Sequence, residues 1–344
     1  MSKKNILDFS LEELKLFLQE SGEAQYHAAQ IFSWVFKLGV LDFSQMSNLS
    51  LALRNKLAEK FAILSFTLKE KLASTDGTQK LLLELAGGNF IEAVIIPAEG
   101  RVTGCISSQV GCKFKCGFCA SGVRGFKRDL SAGEMVEEIL WLKSYAPDKA
   151  LTHIVFMGTG EPLDNYDNVI KAIKIINSKE GLTIGARRIT LSTCGLIPGI
   201  RRLSEEKMQF ELSVSLHAAD EKTRSMLMPV NKKYPLAELI AACREYFRKT
   251  GRQITFEYIL IAGLNSDLQS AQKLSILLQG MDCKVNLIPS NPIHELKIAP
   301  PKKLEILLFK DHLLKHGVHV TLRKERGQDI DAACGQLRLR YVEK

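Results

Sequence analysis

Three cysteines, Cys112, Cys116 and Cys119, stand within eight positions in GCKFKCGFC, spaced C-x3-C-x2-C. Thiolates are soft ligands for zinc, copper(I) or iron–sulfur clusters, and a closed structural zinc site needs a fourth Cys or His. No ligand pair waits downstream, and Cys105, seven residues before the trio, falls in a predicted strand. Three ligands therefore predict an open site. A 4Fe–4S cluster fits that description, because its fourth iron keeps a position free for a cosubstrate. Cysteines used only for packing scatter singly along buried faces, as Cys194, Cys243 and Cys283 do in this sequence.

The rest of the composition bounds the reading. With 344 residues, 46% hydrophobic and 25% charged, the chain can bury a large core as one big domain with an appendage. Its first residues, MSKKNILDFSLEELKLF, alternate charge with apolar side chains and offer neither a secretory h-region nor a membrane span. A cytoplasmic protein with no membrane partner is expected. Thiols in that compartment are kept reduced, so eight cysteines point to metal binding or catalysis rather than a disulfide framework. A net charge of +9 and a pI near 9.0 suit a polyanionic partner.

The elements that must position the trio follow from periodicity. Residues 1–72 read as a small helical module, with Ile31, Val35 and Leu38 on one face and Leu49, Leu53, Leu57 and Phe61 on another. Residues 73–100 read as a β-hairpin linker, LLLEL and FIEAVIIP joined through Gly87-Gly88. From 101 to 344, VTGCISSQ, HIVFMG, RITLST, FELSVSL, QITFEYIL, KVNLIPS and VHVTLR alternate with helical stretches, one opened by a Ser131/Glu134 capping box. This βα repeat predicts an α/β fold with a parallel sheet, doubly wound or a full or partial barrel, whose function sits at the C-terminal strand ends. The unusual residues collect there: the cysteine loop after the first strand, GTGEP after the second, STCG after the third and SLH after the fourth.

C-x3-C-x2-C after the first strand of such a repeat resembles the radical S-adenosylmethionine enzymes, which implies a partial (β/α)6 barrel, one 4Fe–4S cluster on Cys112, Cys116 and Cys119, and S-adenosylmethionine chelated to the open iron. By the same resemblance Gly160 and Glu161 would take the cosubstrate's ammonium, and Ser192, Ser215, Leu216, His217 and Asn291 would line its pocket.

A longer resemblance spans the whole chain. CISSQVGC, GFKRDLSAGEMV, MGTGEPLDNYDNV, RRITLSTCG, VSLHA, LMPVNKKYPL, VNLIPSNP and RGQDIDAACGQL are similar to the RlmN/Cfr family of rRNA adenine methyltransferases. It implies that one S-adenosylmethionine methylates Cys334 and a second is cleaved to a radical that activates the S-methyl group toward an adenine carbon. Glu92 would accept a proton, and Cys105 would attack Cys334 to release the methylated base and leave a disulfide. Two S-adenosylmethionines are consumed per turnover, with 23S rRNA and tRNA as substrates, an electron donor such as flavodoxin, and a monomeric enzyme. SSQVGC resembles the carbon-2 branch more than the carbon-8, Cfr-type branch. A non-catalytic RNA-binding protein with zinc on Cys105, Cys112, Cys116 and Cys119 is the alternative from another class; for Glu92 the alternative is an ordinary strand residue facing solvent.

Overall fold

A computed structural model describes residues 3–123, 125–290, 298–324, 326–333 and 337. The chain opens with a short strand β1 (Lys4–Asn5), helices α1 (Leu11–Glu20), α2 (His27–Phe32) and α3 (Leu51–Lys60), and β2 (Phe61–Ala62), which pairs with β1. Three antiparallel strands follow, β3 (Thr67–Ala73), β4 (Gln79–Glu84) and β5 (Phe90–Ala98). Then come β6 (Arg101–Cys105), the small β7 (Gln109–Val110) and β8 (Arg128–Asp129), α4 (Ala132–Tyr145), β9 (His153–Phe156), α5 (Tyr166–Asn177), β10 (Ile189–Thr193), α6 (Ile197–Leu203) and β11 (Glu211–Ser215). The described part ends with α7 (Glu221–Leu227), α8 (Leu236–Thr250), β12 (Ile254–Leu260), α9 (Leu268–Leu278), β13 (Cys283–Pro289), α10 (Lys303–Lys315) and β14 (His319–Leu322).

Ten strands form one sheet in the order β14-β13-β12-β11-β10-β9-β6-β5-β4-β3. The seven strands from β6 to β14 run parallel and in chain order. Such an order has no switch point, so the sheet winds in one direction as a partial barrel instead of a doubly wound fold. Six strand–helix units and a last strand, β14, make it. The seven strands read from periodicity all appear, as does the capping box, in which Ser131 and Glu134 bond each other's backbone N–H. The linking hairpin is more than a link: β3 to β5 extend the barrel sheet through the β5–β6 pairing, and β3 starts inside the stretch read as helical. Its edge position and mostly exposed TLKEKLA sequence leave no apolar face to signal a strand.

Alternation decides what each sheet face does. Ile154, Phe156, Leu191, Leu212, Val214, Phe256, Val285 and Leu287 are buried and join the helices' Met135, Ile139, Leu142, Val169, Ile173 and Ile176 in one apolar core. The opposite face carries Thr103, His153, Thr190, Ser213, Thr255, Glu257 and Asn286, which line a cavity of about 600 Å3. Fully covered parallel strands are ordinarily apolar on both faces. Here the barrel interior is built to hold something polar. No helix among the described residues is long and apolar enough to cross a membrane.

The helical module is anchored to α4. Glu137, fully buried, accepts hydrogen bonds from the backbone of Ser65 and Phe66 (both 2.6 Å), the Ser65 hydroxyl (2.8 Å) and the Asn5 amide (3.0 Å). Asp8 accepts from the N–H of Gly133 in the first turn of α4 at 2.7 Å.

Candidate active site

The cysteine loop leaves β6 and is tied off at its base by the β7–β8 pairing, Gln109 opposite Asp129 and Val110 opposite Arg128. Gly111 sits at φ +75°, and a Cβ there would lie 1.8 Å from the Gly125 carbonyl, so only glycine closes this neck. Within the loop the Cys119 N–H donates to the Cys116 carbonyl (3.1 Å), and the Gly117 N–H donates to the carbonyl of Leu227 at the end of α7 (2.8 Å). Burial pushes the Cys112 thiol up to about 12 and the Cys116 thiol well above the ordinary range, and a thiolate on one member of the trio raises its neighbours further. Thiolates gathered in one loop raise one another's pKa, and bound iron would supply the positive charge that holds them together. The donor set therefore fits an iron–sulfur cluster. Among the described residues no three His, Cys, Asp or Glu side chains gather as ligands of one ion, and Cys105 packs elsewhere, with Val94, Ala332 and Leu337.

The GTGEP loop lies against the base of the cysteine loop. Gly160, at φ +110°, leaves 2.6 Å between a hypothetical Cβ and the Gln109 Cβ, so a side chain there would part the two loops. Glu161 is buried, and its carboxylate is already in use: Oε1 accepts from the Leu163 N–H (3.0 Å) and Oε2 from the Cys194 N–H (2.7 Å). Burial raises this carboxyl's pKa, and those two backbone bonds oppose the rise. Glu161 thus staples the ends of β9 and β10, while its own N–H donates to Gln109 at 2.9 Å.

On the next strands, Ser192 stands opposite Ser213, and Ser215 opposite Glu257. Leu216 is buried. His217, at φ +58°, accepts the Ile259 N–H on Nδ1 at 3.0 Å, so its proton sits on Nε2. Burial, then the charge of Arg224, hold its pKa down at about 3. A neutral ring packed edge-on against Phe118 at 4.4 Å orients the cysteine loop and is no acid–base group near neutrality. Asn291 and Cys334 lie outside the described residues, as do the basic residues of RLRYVEK.

Cys105 is the last residue of β6 and lines the barrel cavity with Val155, Met157, Ala332, Ala333 and Leu337. Ala332 and Leu337, which flank Cys334 in the chain, pack in one cluster with Cys105, and Ala333 lines the same cavity. Glu92, on β5, is buried and not on a solvent face; it pairs with Lys80 at 3.0 Å, and the same ammonium donates to the Asp331 carbonyl at 3.2 Å. The segment before Cys334 is also held by Asp76, whose carboxylate accepts the Gly327 N–H at 3.0 Å. Burial alone would raise the Asp76 carboxyl, but hydrogen bonds from Thr78, Gly327 and Ser74 outweigh it and hold the pKa at about 2.

Besides Lys80 and Glu137, the buried charged residues Glu138, Glu257 and Arg224 escaped the sequence reading. Glu138 on α4 accepts the Ser107 N–H at 2.9 Å, and the Ser107 hydroxyl in turn bridges the Glu92 carbonyl and the Thr159 N–H. Glu257 accepts from Asn286 at 2.9 Å inside the cavity. Arg224 on α7 is fully buried and donates to the carbonyls of Cys194 and Ser215. The only signal in sequence is a charged residue at an otherwise apolar helix or strand position.

Comparison with known proteins agrees with this geometry. Residues 4–63 match the ribosomal RNA large subunit methyltransferase N-terminal domain, and residues 106–273 match the radical SAM superfamily. A probable dual-specificity RNA methyltransferase RlmN of Clostridium novyi is 45% identical over 340 residues, covering 98% of this chain and 99% of that protein. One of Bacillus licheniformis is 45% identical over 338 residues, 98% and 94% of the two chains. The crystal structure of a radical SAM methyltransferase from Sphaerobacter thermophilus superimposes with a TM-score of 0.95 at 43% identity, covering 97% of this chain and 99% of that one. With a cysteine loop of this form at the head of a partial barrel and relatives that match from end to end, the chain belongs to the RlmN family of radical SAM methyltransferases.

Proposed function

We propose that this enzyme methylates carbon 2 of an adenosine in 23S rRNA and of an adenosine in the tRNA anticodon loop, with Cys334 as methyl carrier, Cys105 as resolving thiol and Glu92 as proton acceptor. The observation that carries the reading is the packing of Cys105 with Ala332 and Leu337 on the wall of one polar cavity, beside the Glu92–Lys80 pair. The relatives' name, a dual-specificity RNA methyltransferase, supports RNA as the substrate class, and the +9 net charge suits a phosphate backbone. The protein would act in the cytoplasm as a monomer.

Held by Cys112, Cys116 and Cys119, a 4Fe–4S cluster with S-adenosylmethionine would supply one-electron cleavage chemistry from an external donor such as flavodoxin. The chain's own residues do the rest. Cys334, as thiolate, attacks the methyl carbon of a first S-adenosylmethionine, forming the S–CH3 bond as the sulfonium–carbon bond breaks and S-adenosylhomocysteine leaves; the second is consumed in activating that methyl group. After the carbon has joined the base, the adduct would give up one electron, which could return to the cluster, and Glu92 would take the base's proton, with the Lys80 ammonium compensating the charge a buried carboxylate must carry. Cys105 then attacks the Cys334 sulfur, forming the S–S bond as the carbon–sulfur bond breaks; the freed methylene carbon takes up one proton to become the methyl group, and the methylated base leaves. A dithiol reductant restores both thiols. Extrusion of the adenine from its stack delivers the carbon to the cavity.

Mass spectrometry of the peptide containing Cys334, from protein made in cells, tests the scheme. A methyl group on Cys334 in the parent, compared with Cys112→Ala, is expected; an unmodified Cys334 in active enzyme ends the carrier role. Nucleoside analysis of treated RNA should give 2-methyladenosine, and 8-methyladenosine would move the enzyme to the other branch.

A further inference from the structure

Arg224 is a guanidinium without an anion. It is 0% exposed, its three described hydrogen bonds go to neutral acceptors, and its Nε is buried with no hydrogen-bond partner among the described residues. NH1 donates to the Asn231 side-chain oxygen at 2.6 Å, and NH2 to the carbonyls of Cys194 (2.9 Å) and Ser215 (3.3 Å). The nearby carboxylate of Glu221 is engaged instead by the Asn231 amide at 2.6 Å and the Ala237 N–H at 3.4 Å. Among the described residues no carboxylate pairs with Arg224. Arginine does not shed its proton in proteins, and an uncompensated buried charge costs several kcal/mol. The site must supply negative charge from something else.

The helix that carries Arg224 also touches the cysteine loop, through the Gly117 N–H on the Leu227 carbonyl at 2.8 Å. Its charge is felt at the sulfurs of Cys116 and Cys194. A cubane on three thiolates carries net negative charge, and one-electron reduction adds one more unit. Resting on the reading of this loop as a cluster site, we infer that Arg224 is the fixed counter-charge of the cluster, a positioning residue that favours its reduced form. The fork to Cys194 and Ser215 holds the charge at the ends of β10 and β11, and the Gly195 Cα leaves room for it, since a Cβ there would stand 3.1 Å from NH2. No other described residue offers a cation so deeply buried beside this loop.

The test is a mediated dithionite titration of reconstituted full-length protein, followed by electron paramagnetic resonance, with iron and sulfide content measured on each sample. Arg224→Gln is expected to show a reduced-to-oxidised cluster ratio at least tenfold lower than the parent's at the parent's midpoint potential, equivalent to about 59 mV for one electron. Arg224→Lys, which keeps the charge, is expected to recover most of that difference. Equal midpoints in parent and Arg224→Gln overturn the inference, as does a Lys variant shifted as far as the Gln variant. Where Arg224→Gln fails to load, a loaded Arg224→Lys supports the charge, and failure of both assigns the role to the hydrogen-bonded fork. A parent without any reducible iron–sulfur signal would instead remove the cluster reading itself.

Discussion

Lys80 and Glu92 face each other at 3.0 Å with both side chains at most 8% exposed, one on each of two adjacent antiparallel strands. The same ammonium reaches the Asp331 carbonyl at 3.2 Å, so one cation joins the proposed proton acceptor to the segment entering Cys334. A pair so dry is held by geometry, and losing Lys80 takes the ammonium away from a buried carboxylate.

Lys80→Met should therefore destabilise the protein by about 3–5 kcal/mol, read from denaturant unfolding. Adding Glu92→Leu to it should restore most of that stability, because the buried carboxylate that lost its ammonium is gone, and should leave RNA methylation undetectable. Recovery of methylation in the double variant would remove Glu92 from the reaction.

Cys105→Ser should leave Cys334 methylated and block release of the base, because serine cannot form the S–S bond that frees it. The expected product is a covalent adduct between RNA and the Cys334 peptide, visible by denaturing electrophoresis and mass spectrometry. Free 2-methyladenosine at the parent's rate would show that another group resolves the intermediate.

Much of this site was legible in the sequence because it obeys local rules. The cysteine spacing, the capping box at Ser131 and the period-2 strands depend on residues a few positions apart. What stayed hidden depends on residues far apart in the chain. Cys105 and Ala332 meet only because β5 and β6 continue the barrel sheet, and only family resemblance linked their neighbourhoods beforehand. The burial of Arg224, Glu138 and Glu257 comes from tertiary structure, not from their near neighbours in the chain. Glu161, expected to meet a ligand's ammonium, also accepts two backbone N–H groups, a bracing role that only the meeting of the β9 and β10 ends could reveal.

Glu137 offers a test of how the helical module is held. Its carboxylate accepts four hydrogen bonds, from Asn5, Phe66 and twice from Ser65. Glu137→Gln keeps the shape but turns one acceptor into an NH2 facing donors, so at least one buried bond is lost at about 1–3 kcal/mol. The unfolding midpoint should fall accordingly, and limited proteolysis should cut faster between residues 60 and 66. Unchanged proteolysis there would mean that the Asp8–Gly133 bond and apolar packing anchor the module without it.

His217 gives a pH signature. Burial, aided by Arg224, holds its folded pKa at about 3, against an unfolded value of 6.5. Between those values the unfolded chain binds a proton that the folded protein does not, so stability from this group falls as pH drops below about 6.5 and is constant above it. The slope approaches 1.4 kcal/mol per pH unit, or roughly 2 kcal/mol from pH 6.5 to 5. His217→Asn, whose side-chain oxygen can still accept the Ile259 N–H, lacks the proton site and should show a flatter stability curve over that range. Parallel curves for parent and variant, measured by urea unfolding at half-unit pH steps, would mean that the ring is protonated in the folded protein and that its packing against Phe118 does not depend on a neutral imidazole.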